Sequence, residues 1–156
     1  MERQSFDTRA GFQAALDAVF GRARLTLKMF DPDFASWDLG SVRNDALLRA
    51  FLRGGGRLQL VAHSNVRLER DAPRFLRLLQ DYGHLIECRV TNRSLRHLTD
   101  SFCVADERDV VRRFHCDFFR GEVNLDEPSS TQSVLERLEG IWAETAPGLH
   151  AVVTGL

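Results

Sequence analysis

The residues able to do chemistry fall into a few short groups. Asp31-Pro32-Asp33 follows one β-like run, and His63-Ser64-Asn65 follows the next. Two carboxylates and an imidazole at neighbouring strand ends could hold a divalent metal or move a proton. The plain alternative is turn and cap chemistry, which the same residue types perform routinely. Further on, Arg93, Arg96, His97, Thr99, Ser101 and Asp106 run through a basic loop and into a strand. Such a stretch could cradle a phosphate or another acidic group, or simply be a solvated loop leading into the sheet. Arg108, Arg112, Arg113 and Arg120 interleave with Phe114, Phe118 and Phe119 as base-stacking surfaces do. Five acidic neighbours (Asp106, Glu107, Asp109, Asp117 and Glu122) dilute that patch, and alternation along a hairpin explains it more simply.

Other chemistries lack their residues. Lys28 is the only lysine among 21 basic residues, so any mechanism that needs an ammonium has one candidate. His115 and Cys116, with Cys103 across a hairpin, hint at zinc, but no Cys-x-x-Cys pair accompanies them. The expectation is buried thiols and no bound metal or cofactor. Gly54-Gly55-Gly56 precedes a strand, whereas a phosphate loop precedes a helix, so it reads as a helix stop. No Gly-x-Ser-x-Gly elbow is present.

Positioning these groups falls to an alternation of helices and strands. Phe12, Ala15, Leu16, Val19 and Phe20 repeat at helical spacing, with Thr8 as cap and Gly21 as stop. Residues 25–30 read as a strand. A helix through Leu47, Leu48, Phe51 and Leu52, capped by Asn44, leads into a strand over 57–62. Asp71 and Pro73 open a helix through Phe75, Leu78 and Leu79, followed by a strand over 85–90. Residues 101–105 and 110–114 form a hairpin around the charged tract 106–109. Residues 122–130 read as a loop, and a last helix carries Val134, Leu135, Leu138, Ile141 and Trp142, ended by Ala146-Pro147-Gly148. The fold class is therefore α/β, with a mixed, mostly parallel sheet flanked by helices.

Bulk properties agree with one globular domain over residues 1–156. The chain is 44% hydrophobic and 28% charged, with a formal net charge of −1. That balance disfavours strong nonspecific attachment to nucleic acid or an anionic membrane. The odd, scattered cysteines Cys88, Cys103 and Cys116 and the polar start of the chain point to a reduced, cytoplasmic setting.

Taken in order, the segments 23–30, 55–61, 82–90, 100–106 and 138–142 resemble one half of the phospholipase D superfamily. The superfamily motif is His-x-Lys, four residues, then Asp. One histidine attacks phosphorus, and a second copy's histidine protonates the leaving oxygen. Aligned on Phe102-Cys103-Val104-Ala105-Asp106, Thr99 stands at the histidine position and Ser101 at the lysine position. Only Asp106 matches. Starting instead from His97 puts Thr99 at the lysine position and Val104 at the aspartate position. No His-x-Lys occurs anywhere, and the downstream Gly-Ser-x-Asn stretch is missing.

The resemblance thus implies a degenerate half-domain without the family's chemistry, serving in binding, regulation or structure. Active single halves pair about a two-fold axis, so a homodimer is the expectation. The sequence leaves two rivals. One is a divergent phosphoesterase or nuclease-like enzyme using Asp31, Asp33 and His63; the other is a nucleic-acid-binding module.

Overall fold

Helix formation begins where the expected cap places it. In the computed structural model, which describes residues 2–151, the Thr8 hydroxyl accepts the Gly11 amide at 3.0 Å and α1 runs over Arg9–Arg22. The glycine at 21 does not stop it; the turn closes at Ala23, whose amide donates to Val19. Ahead of α1 lies β1 (Glu2–Phe6), and behind it β2 (Thr26–Phe30).

The second helix, α2 (Val42–Arg53), is capped by Ser41 and not by Asn44. Asn44 instead turns its amide inward, donating to the carbonyls of Trp37 and Asp38 at 3.1 and 2.9 Å. After β3 (Arg57–Ala62) a six-residue helix, α3 (Val66–Asp71), precedes α4 (Pro73–Asp81). β4 (Ile86–Thr91) follows, then β5 (Ser101–Ala105) and β6 (Asp109–Arg113) as the anticipated hairpin. Two positive-φ residues, Asp106 and Glu107, make its turn, the backbone twist that two-residue hairpins favour.

Residues 122–130 are not the expected loop. Gly121–Leu125 forms β7, and Pro128 opens α5 (Pro128–Trp142). A side chain at 121 would strike the Arg112 carbonyl at 2.0 Å, so glycine lets β7 approach β6. A short strand, β8 (Thr145–Pro147), takes up the stretch expected only to end the helix.

These strands make one sheet in the order β1-β7-β6-β5-β2-β3-β4-β8. It is mixed, as expected, but its parallel character is partial. β2–β3 and β3–β4 are parallel; the other five ladders are antiparallel. The hairpin meander and the two late-read edge strands outnumber the crossover units.

Helices cover both faces. α1 to α4 pack on one face, over Phe12, Leu16, Leu27, Met29, Trp37, Leu48, Leu60 and Phe75. α5 covers part of the other face, where Phe30, Val61, Phe102, Val104 and Val110 meet Val134, Leu135, Leu138 and Ile141. Strand alternation decides which face each side chain joins. No helix among the described residues is long and apolar enough to cross a membrane.

Candidate functional site

Alternation carries Asp31, Ser101 and Arg113 to the same face of the sheet. They stand at the ends of β2, β5 and β6, on the side of Met29, Cys103 and Val111. All three are buried, at 1%, 1% and 2% exposure. The Asp31 carboxylate accepts the amides of Asp33 and Phe34 at 3.0 and 2.6 Å, closing the turn after β2. That turn lays Trp37, fully buried, over the Ser101 hydroxyl, to which its indole donates at 3.1 Å. Phe34 and Phe12 meet the Trp37 ring edge-on at 4.8 and 5.7 Å.

Arg113 closes the remaining space. Its guanidinium lies 5.0 Å above the Phe12 ring and 5.4 Å from that of Phe119, and donates to the Cys116 carbonyl. One terminal nitrogen stands 3.8 Å from Asp31 Oδ1. Asp31 Oδ1 and Arg113 Nε and Nη1 have no hydrogen-bond partner. Burial pushes the Asp31 carboxyl above the ordinary range. The Ser101 hydroxyl, the two amides and the Arg113 charge pull back less strongly.

The grouping of Asp31, Asp33 and His63 does not form. Asp31 faces the α1–α4 side, whereas His63 meets the Phe30 ring at 5.5 Å on the α5 side. The His63 ring is also fully engaged. Nε2 bonds the Leu98 carbonyl at 2.8 Å, and Nδ1 bonds the Thr91 hydroxyl at 2.6 Å. Since a carbonyl only accepts, Nε2 donates in the bond to Leu98. Asp33 accepts the Ala35 amide at 3.0 Å, a turn contact, with Arg67 4.0 Å away.

The second group also divides. Ser101 is buried, whereas Arg93, Arg96, His97 and Thr99 lie on the surface before it. The Thr99 carbonyl accepts the Cys116 amide at 2.7 Å, tying this loop to the one after β6. Asp106 belongs to neither. At the far end of β5 its carboxylate gathers the amides of Arg24, Leu25 and Thr26 at 2.9, 2.7 and 3.0 Å, anchoring the start of β2.

Sequence reasoning missed Trp37 altogether and read Arg113 only as part of a diluted arginine patch. The signal for Arg113 was its parity with Val111, which points both to one face. Trp37 sits in an irregular segment and gave none.

Cys88 and Cys103 are buried as expected, whereas Cys116 is only half-buried. Desolvation raises Cys88 to about 12, and Cys103 and Cys116 are raised for the same reason. The ligand atoms of His115, Cys116 and Asp117 lie within 4.8 Å of one another, but His115 Nδ1 already accepts the Asp117 amide at 3.1 Å. Cys103 lies in the core opposite Val111, away from any such set.

Comparison places this architecture. The profile of a domain of unknown function (DUF7931) matches residues 8–150. No curated protein matches. Among solved structures, Nuc from Salmonella typhimurium, a phospholipase D family member, superposes with a TM-score of 0.68 at 14% identity. The alignment covers 94% of this chain and 97% of Nuc. NucT from Helicobacter pylori gives 0.62 at 11% identity, over 94% of this chain and 99% of NucT. TrmBL2, an archaeal chromatin protein with a novel mode of DNA binding, gives 0.71 at 10% identity. That match covers 95% of this chain and 54% of TrmBL2, so the chain spans about half the length of that protein. The fold is phospholipase D-like.

Proposed function

We propose that this chain, which belongs to the DUF7931 family of domains of unknown function, is a phospholipase D-like domain without phosphoryl-transfer activity, serving as a binding or structural module. One observation carries the reading. Ser101 stands where the resemblance puts the lysine, and it is sealed beneath Trp37 beside the buried Asp31–Arg113 pair.

Covalent phosphoryl transfer needs an imidazole in line with phosphorus and a cation at the phosphoryl oxygens. A buried hydroxyl supplies neither. Arg113 is cationic, but aromatic rings and a carbonyl enclose it. The divergent-enzyme reading loses its geometry as well, because Asp31 and His63 occupy opposite faces of the sheet.

The test is turnover of a generic phosphodiester by the purified chain, with magnesium, manganese or zinc added in turn. Background rates that His63→Ala leaves unchanged are expected. Turnover lost on that substitution would overturn the reading. Pairing of two copies, as in active single-half relatives, accords with the exposed aromatic side chains Phe114 and Phe118 beside the old cleft. Sedimentation equilibrium should return a dimer; a monomer at high concentration refutes the pairing.

A second reading has its own support. The Thr99–Cys116 hydrogen bond sets the loop bearing Arg93, Arg96 and His97 beside the one bearing Phe114, Phe118 and Arg120. Arg93, Arg96 and Arg120 enter no ion pair among the described residues. Free cations beside exposed aromatic rings suit a single-stranded polyanion, and TrmBL2 binds DNA. Binding of a fluorescent oligonucleotide at low salt, weakened by added salt and by Arg96→Ala, is the expectation. No binding at low salt eliminates this reading.

A further inference from the structure

Away from the group around Ser101, a cavity of ≈ 790 Å³ lies between α3, α4, the end of β4 and residues 148–151. Its walls are mainly apolar, made by Val66, Leu76, Leu79, Val90 and Leu149. Val66 is 61% exposed, so the space is an apolar groove open at the surface. Leaving such a wall against water is unfavourable in proportion to its area.

The chain itself leads into this groove. The Gly148 amide donates to the Cys88 carbonyl at 2.9 Å, which extends the β8 contact along β4. Gly83, just after α4, gives the following residues room, since a Cβ there would meet Ala151 Cβ at 2.9 Å. Ala151 is the last described residue and belongs to the lining. In sequence it is followed by Val152-Val153-Thr154-Gly155-Leu156, which carries three large apolar side chains and no charge. Five residues reach up to roughly 17 Å when extended, farther than a cavity of this volume is wide. The β-branched run Val152-Val153-Thr154 favours an extended chain. An apolar segment tethered at the mouth of an apolar groove also has an effective concentration on the order of millimolar.

We propose that residues 152–156 occupy this groove as an intramolecular strap, their valine and leucine side chains covering Val66, Leu76 and Leu79. The strap is independent of the non-catalytic reading above. An outside segment of the same apolar, uncharged character must displace it to use the groove.

The test is carboxypeptidase digestion of the native 156-residue chain, with loss of the tail followed by intact-mass spectrometry. Val66→Asp combined with Leu76→Asp places charge on the groove without touching the tail. Tail removal should then be roughly tenfold faster than in wild type, the effect of unburying one large apolar side chain. Hydrogen exchange reads the contact from the other side. Val153→Asp should speed exchange at the amides of Val66–Asp71, and this measurement stands even if the groove variant does not fold. Equal digestion rates for wild type and the groove variant, or exchange unchanged by Val153→Asp, would overturn the proposal. So would protection that rises with protein concentration, since another copy would then fill the groove.

Discussion

At the scale of single residues, the group around Ser101 buries two opposite charges, Asp31 and Arg113, in one small space. Asp31 and Arg113 are both buried and 3.8 Å apart, with unpartnered polar atoms on each. Such a pair contributes little net stability, but removing one member strands the other. Arg113→Met should therefore destabilise by about 3–5 kcal/mol in urea unfolding, and adding Asp31→Asn should recover much of that loss. A double variant whose cost equals the sum of the two single-variant costs would show that the two charges do not interact. The Asp31 carboxyl also has a pH signature. Burial lifts it above its ordinary range, so the folded state holds that proton more tightly than the unfolded chain. Its contribution is present below the unfolded value and lost as pH rises through the folded one. Against wild type, Asp31→Asn should therefore gain relative stability as pH climbs above the ordinary aspartate value of about 4. A constant difference across that range contradicts this assignment of the shift.

At the scale of elements, one short turn holds two halves of the sheet together. Asp106 collects three amides at the start of β2, and with Glu107 it makes the positive-φ turn of the β5–β6 hairpin. The left-handed region costs an L-residue roughly 1–2 kcal/mol, which glycine avoids while losing some unfolded-state advantage. Glu107→Gly should raise stability by about 0.5–1 kcal/mol, whereas Asp106→Ala should lower it by about 2–3 kcal/mol as three amides lose their acceptor. Thermal unfolding of both variants checks the contrast; equal effects would refute it. This turn also shows what the sequence carried. Strong apolar periodicity placed α1, α2, α4, α5 and five of the six inner strands, and the charged tract 106–109 marked the hairpin. β1 and β8 were illegible because an edge strand has little apolar alternation to display: Glu2–Arg3–Gln4–Ser5 are all exposed. β7 was hidden by its polar residues Glu122 and Asn124. Asn124 is nevertheless buried, and Val123 joins the core. The candidate site was legible by position and not by parity. Asp31 and His63, just past the ends of the adjacent strands β2 and β3, were separated once alternation assigned them to opposite faces.

At the scale of the whole molecule, the eight-stranded sheet has a phospholipase D-like arrangement, and Ser101 and its neighbours lie in the interior. Scaffold and chemistry are separable, since one fold hosts many unrelated functions. The loops bearing Arg93, Arg96, Phe114, Phe118 and Arg120 are exposed beside this interior. The central claim is that no covalent phosphoenzyme forms. It is tested most directly by incubating the full chain with an excess of a reactive phosphodiester, quenching at alkaline pH, and mapping phosphorylated histidine by mass spectrometry. The account predicts unmodified His63, His84, His97, His115 and His150 at every time point. A phosphohistidine that appears and decays with turnover would contradict it.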